Sequence, residues 1–340
     1  DVEVEDDACV PTVGSMQGSF AAFMTIARLD EKKNKILFID PGFPVQKQQC
    51  NILGIETLHF DVYDYRGEKL EAKLEEYLAT GEVAAMIYSS PNNPAWFSFN
   101  EMELQIIAKV ANKYDVIVLE DLAYFGMDFR QDFSKPGVAP YQPTVAKWAK
   151  KFVLMISGSK IFSYAGQRIA VMVISKDLFD MKTEHMKKYF TQDCFGRAII
   201  FGSLYALTSG TAFSPQYALT AIFKACNDGT YNFAEPLREY GRKAEQMKKA
   251  LVENGFKIVY DKDLDVEVAD GFYFTFSYPG LTGEELLSEL AYYGISAISL
   301  SVCRSTRTEG ARACVSLIPN EMIPIFAQRV KKFHEDHPIK

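Results

Sequence analysis

The strongest constraint on the fold is an alternation of short apolar runs with amphipathic stretches over the first two thirds of the chain. The runs are KILFID (35–40), ETLHF (56–60), VAAMIYSS (83–90), DVIVLED (115–121), KFVLMIS (151–157) and IAVMVIS (169–175). Those in the middle of the series are apolar at consecutive positions. A strand with one wet face alternates polar and apolar residues, so consecutive apolar residues need cover on both faces, as in a parallel strand between helix layers. The stretches between them have helical period. In LEAKLEEYLAT, Leu70, Leu74, Tyr77 and Leu78 make one apolar stripe. In NEMELQIIAKVANKY, Asn100 is placed to cap the first turn while Glu103 reaches back, a capping box. The expected fold is α/β, a mainly parallel sheet flanked by helices, with ligands at the carboxyl ends of the strands.

The last third changes texture. A helix over about 235–254 ends at Asn254-Gly255, and strands are expected at FKIVY (256–260) and GFYFTFSY (271–278). Thr282 and Glu285 cap a further helix; ISAISLS, RACVSL and a closing helix over about 320–334 complete a smaller α+β unit. At 340 residues the chain exceeds the roughly 250–300 at which one core stops growing. Two domains are therefore expected, a large one over 1–230 and a small C-terminal one over 231–340.

Composition removes several functions. A net charge of −7 offers no basic stripe for nucleic acid. No apolar run approaches the ~18–20 residues of a membrane span, and no secretory signal is visible. The six cysteines form no CxxC pair and no metal-ligand spacing, as expected of reduced thiols in a cytoplasmic protein without a metal.

The chemistry-bearing residues follow the predicted strands. PTVGSMQGSFAAF (11–23) is a glycine–serine turn opening a helix, whose free N–H groups suit an anion, although alone it is an ordinary capping turn. IDPGFP places Phe43 in a loop, and YSSPNNPAW places Asn93 before a proline with its amide facing outward. LEDLAYF leaves Asp121 at the end of a run apolar enough to be buried, with Tyr124 three residues on; a buried carboxylate needs a cation or strong donors. SGSKIFSYAGQR (157–168) ends a core strand in two serines and Lys160, with Arg168 eight residues later. Each segment alone has a bland reading as a turn or a helix cap.

Taken as a series, these segments resemble the fold-type-I, pyridoxal-phosphate-dependent aminotransferases of class I/II, over essentially the whole chain. The strongest signature is SGSKIFSYAGQR, similar to the family's S-x-S-K-x-[FY]-x-x-x-G-x-R. The resemblance implies that Lys160 forms the internal aldimine with pyridoxal 5'-phosphate and, once released, moves the substrate's α-proton. Both tasks need an amine that is neutral near pH 7. It implies that Asp121 pairs with the pyridinium nitrogen, that Asn93 and Tyr124 hydrogen-bond the phenolic oxygen, and that Phe43 stacks on the ring. Backbone groups of Ser15 and Met16, the Ser157 hydroxyl and Arg168 would hold the phosphate, with Ser159 shaping the turn. EGARACVSL (309–317) is similar to the segment whose arginine clamps the substrate α-carboxylate, which nominates Arg312 ahead of Arg304 and Arg307.

The expected activity is therefore transfer of an amino group from an amino acid to a 2-oxo acid by a ping-pong route, in a homodimer. A lyase or decarboxylase on the same scaffold and a non-catalytic homologue are the alternatives. Three features depart from the family pattern. Ala95-Trp96 stands where Thr-Gly is usual after Asn-Pro. The stretch 191–210 is rich in aromatics that either line an apolar pocket or pack the core, and its Arg197 is a candidate for a second substrate carboxylate. The phosphate turn begins near residue 13, so the resemblance implies a longer protein of which this chain is a clipped or partly ordered version.

Overall fold

The computed structural model describes residues 2–339. Its larger part is built on a seven-stranded mixed sheet of order β1-β7-β6-β5-β4-β2-β3. The strands are β1 (Cys9–Thr12), β2 (Lys35–Asp40), β3 (Thr57–Asp61), β4 (Val83–Ser89), β5 (Ile117–Asp121), β6 (Phe152–Ser157) and β7 (Ala170–Ile174). Strands β2 to β6 pair in parallel, whereas β7 runs antiparallel to both β6 and β1. Helices α1 (Gly14–Ile26), α2 (Pro44–Ile52), α3 (Lys69–Leu78) and α4 (Glu101–Lys113) cover the sheet.

Both faces are dry, as consecutive apolar residues require. Leu37 and Ile39 of β2 join one core with Leu70, Leu74 and Leu104, while Ile36 and Phe38 join a second with Phe23 and Ile26 of α1. Asn100 and Glu103 form the complete capping box that starts α4. The aromatic stretch after residue 191 packs onto this second core through Phe195, Ile199 and Leu204, with Phe201 and Tyr205 exposed.

A four-stranded antiparallel sheet of order β12-β13-β11-β8 forms the smaller C-terminal unit. Its strands are β8 (Lys257–Ile258), β11 (Tyr273–Ser277), β12 (Ile298–Ser299) and β13 (Gly310–Cys314), with a small hairpin of β9 (Lys262–Asp263) and β10 (Val266–Glu267). Helices Arg238–Glu253, Gly283–Tyr292 and Ile323–Asp336 close a third core around Phe256, Phe274, Phe276 and Phe333. FKIVY yields only a two-residue strand.

The hairpin is tied to the sheet domain by buried ion pairs: Asp263 accepts from Arg66, which also pairs with Glu103, and from Arg130. Asp61, at the end of β3, accepts from Tyr260 and Thr306 of the C-terminal unit. These contacts set the two units around one cleft. Among the described residues all six cysteines are free, no helix is long and apolar enough to cross a membrane, and no cluster of metal-ligating side chains occurs.

Candidate active site

The sheet order reverses between β2 and β4, and the carboxyl ends of β2, β4, β5 and β6 open onto one crevice. A cavity of about 240 Å³ lies there. Ser15 and Met16 line it from the first turn of α1, Phe43 from the loop after β2, and Asn93 from the loop after β4. Asp121 and Tyr124 enter from the end of β5; Ser157 ends β6, and Lys160 and Arg168 come from the segment between β6 and β7. The structure thus brings nine of the ten nominated residues to one wall-lined space, and Arg312 reaches it through Asn93.

The antiparallel β7 explains how this corner of the cavity is assembled. Ser157 closes β6, Ala170 opens β7 and Thr12 closes β1, and the three stand in one register row. The turn after Thr12 therefore lies beside Ser157 and Arg168. Gly14 has φ +71°, and a Cβ there would stand 2.4 Å from Nη2 of Arg168, so both the conformation and the close approach need glycine. The Ser157 oxygen accepts from the Ser159 N–H at 3.1 Å, starting the short helix α5 (Gly158–Ile161), which leaves its own O–H to donate. Arg168 is held by Ala165 O at 2.8 Å. The Ser15 hydroxyl is buried and has no hydrogen-bond partner among the described residues.

Asp121 is buried, and burial pushes its carboxyl up to about 6 against the pull of two donors. Those donors are Nε2 of Gln46 at 2.8 Å and the Ala123 N–H at 3.1 Å. Gln46, on α2, has no sequence motif to announce it; only the packing of α2 beside β5 reveals it. Among the described residues no cation pairs with Asp121.

Lys160 is the opposite case. Among the described residues its amine has neither a hydrogen bond nor an ion pair, and it lies 5.1 Å above the Phe272 ring centroid. Burial lowers its pKa, Cys314 opposes this, and the guanidinium groups of Arg312 and Arg168 lower it further.

Asn93 does not face outward as its turn implied. It is buried, and its Oδ1 accepts from Nη1 of Arg312 at 2.8 Å, because β13 of the smaller unit lies across the crevice. Nε of Arg312 is buried and has no hydrogen-bond partner among the described residues. Tyr124 donates to Tyr273 at 3.1 Å, and Tyr273, the first residue of β11, also lines the cavity. Trp96 holds φ +68° at the position of the usual glycine, fully buried edge-on against Tyr124 and Tyr273. The left-handed backbone costs a tryptophan ~1–2 kcal/mol, which burial of the indole offsets. It fits because residue 271 is glycine: a Cβ there would stand 2.2 Å from the indole. Arg197 is exposed and outside this cavity.

A mixed α/β sheet with a cationic, amine-bearing crevice at its strand ends, closed by a small antiparallel unit, defines a large class of cofactor-using folds. Within that class the chain belongs to the class I and II aminotransferase family, whose family model matches residues 2–330. Putative aminotransferase YugH of Bacillus subtilis is 28% identical over 165 residues, 48% of this chain and 40% of that protein. Glutamate-pyruvate aminotransferase AlaC of Escherichia coli is 30% identical over 185 residues, 52% of this chain and 42% of its own length. The match thus spans less than half of either relative. A Thermus thermophilus aspartate aminotransferase double mutant shares the fold, with a TM-score of 0.75 at 17% identity over 98% of this chain and 77% of that one.

Proposed function

We propose that this chain binds pyridoxal 5'-phosphate in the crevice and transfers an amino group from an amino acid to a 2-oxo acid in two half-reactions. One observation carries the reading. Among the described residues, the same cavity holds a buried carboxylate that no cation pairs (Asp121), an amine with no acidic partner (Lys160), and a buried hydroxyl with no hydrogen-bond partner (Ser15) at the turn that Arg168 approaches. A molecule with a phosphate, a ring nitrogen that takes a proton and an aldehyde answers all three. When bound, it supplies an aldehyde for a lysine amine and a ring that accepts the electrons of the broken Cα–H bond.

The chain's own residues then have defined tasks. Arg168, Ser157 and the N–H groups of Ser15 and Met16 hold the phosphate. Asp121 holds the ring-nitrogen proton, and Gln46 fixes the orientation of that carboxylate. Asn93 and Tyr124 donate to the phenolic oxygen, and Phe43 covers the ring. Nζ of Lys160, with its pKa lowered, takes the α-proton and returns it.

Arg312 binds the substrate carboxylate, its planar fork already oriented by Asn93. Arg312→Lys keeps the charge but loses the fork. The expected result is a KM for the amino acid raised by about 10- to 100-fold with the cofactor band unchanged, read by steady-state kinetics.

The exposed Phe201, Tyr205, Phe213 and Tyr217 offer an apolar face for a second copy, which supports a homodimer. We place the domain boundary near residue 230, ahead of helix Arg238–Glu253, and the protein in the cytoplasm, where its free thiols stay reduced. The test of the function is direct. Purified protein given pyridoxal 5'-phosphate is expected to turn yellow, to lose that colour on borohydride reduction, and to carry the added mass on the Lys160 peptide. A panel of amino donors with 2-oxoglutarate then identifies the substrate. Protein that stays colourless, or label on another lysine, overturns the reading.

A further inference from the structure

Tyr124 and Tyr273 come from different units of the fold, yet their hydroxyls meet in the cavity at 3.1 Å, with Tyr124 the donor. Neither ring is free to swing. Trp96 packs edge-on against both, at 5.2 Å and 6.0 Å between centroids. The Arg312 guanidinium sits 4.2 Å over the Tyr273 ring and is itself held by Asn93. A phenol both donates and accepts. Among the described residues the bond to Tyr124 is the only hydrogen bond of the Tyr273 hydroxyl, so its own O–H is uncommitted. If Tyr124 turns its O–H to a ligand oxygen, Tyr273 can donate to the oxygen left behind. The pair then reverses by rotation of two O–H bonds, with no heavy atom displaced.

We propose that Tyr273 is a positioning residue acting through Tyr124: it accepts from the Tyr124 hydroxyl in this structure and stands behind it as a donor once a ligand oxygen takes that hydroxyl. The proposal rests on the reading of the cavity as a pyridoxal 5'-phosphate site, in which that oxygen is the cofactor's phenolic one. A donor behind a donor polarises it, and the polarised bond favours the charged form of the oxygen it reaches. The charged and titratable groups facing the pair are Arg312 and Cys314 from β13, Asp121 from β5 and Cys303 from the turn after β12. Tyr273→Phe alters none of them and keeps the ring contacts with Trp96 and Arg312.

The test is a pH titration of the visible absorption band in the loaded wild type, Tyr273→Phe, Tyr124→Phe and the double variant. Tyr124→Phe is expected to raise the midpoint. Tyr273→Phe is expected to raise it less, by about half a pH unit, and to add nothing in the Tyr124→Phe background. An unmoved midpoint in Tyr273→Phe, or an equal shift in both backgrounds, overturns the proposal while the cofactor reading stands. A wild type that takes up no cofactor overturns both.

Discussion

Lys160→Ala is expected to keep the fold and lose at least about a thousandfold in turnover, because in the proposed function one amine would both take the cofactor's aldehyde and move the α-proton. Its side chain has no hydrogen bond or ion pair among the described residues, so its removal leaves no partner unsatisfied. Stability should not suffer either. Burial and two guanidinium groups depress the folded pKa, so in the folded state the charged amine is disfavoured relative to the unfolded chain. A thermal melt of the unloaded variant at neutral pH is therefore expected at or above the wild-type midpoint, while kinetics with the best amino donor fall near the detection limit. Activity within tenfold of wild type would refute the assignment of Lys160.

Asp121→Asn separates binding function from stability in opposite directions. The folded carboxyl titrates at about 6, against ~3.9 in an unfolded chain. Between those values the folded state binds more protons. The unloaded protein therefore loses stability as pH rises from about 4 to about 6, and the deficit persists above. Asparagine stays neutral but gives up one of the two acceptors now used by Gln46 and Ala123. The unloaded variant is expected to be about 1–2 kcal/mol more stable than wild type at pH 7.5, with no advantage below about pH 4. Loaded with cofactor, the order is expected to reverse, because in the proposed function only the carboxylate would hold the ring-nitrogen proton. The rate is expected to fall by about 100- to 1,000-fold. Denaturant melts at two pH values, with and without cofactor, read both effects; a less stable unloaded variant at pH 7.5 would show that Asp121 already has its charge satisfied.

Both predictions concern residues that are legible in the sequence, and part of the reason is local. A lysine and an aspartate at the ends of apolar runs are costly wherever the chain goes, which marks their positions, although each segment alone reads as a turn or a cap and only the series resembles the family. The capping boxes at Asn100 and Thr282 were legible for the same reason, since each is closed within four residues of chain. Gln46 and Tyr273 were not legible. Gln46 meets Asp121 only because α2 packs beside β5, and Tyr273 meets Tyr124 only because β11 faces the crevice. Asn93 is a similar case: its turn alone implies an outward amide, but the arginine that turns it inward lies 219 residues away. Trp96 stood out as an anomaly in its motif, yet its accommodation depends on the absent Cβ of Gly271 on the opposite unit.

The sequence by itself determined the strand and helix alternation, the dry faces of the sheet, and the residues placed at the strand ends. All of these follow from periodicity and desolvation along a few neighbouring positions. Only the tertiary structure decided that β7 runs antiparallel and so brings Arg168 beside Gly14. It alone decided that the C-terminal unit lays Arg312 and Tyr273 across the crevice, and that Asp121 meets an amide instead of a cation. Those are long-range pairings, set by how whole elements pack, and no local pattern of residue types encodes which distant partner arrives.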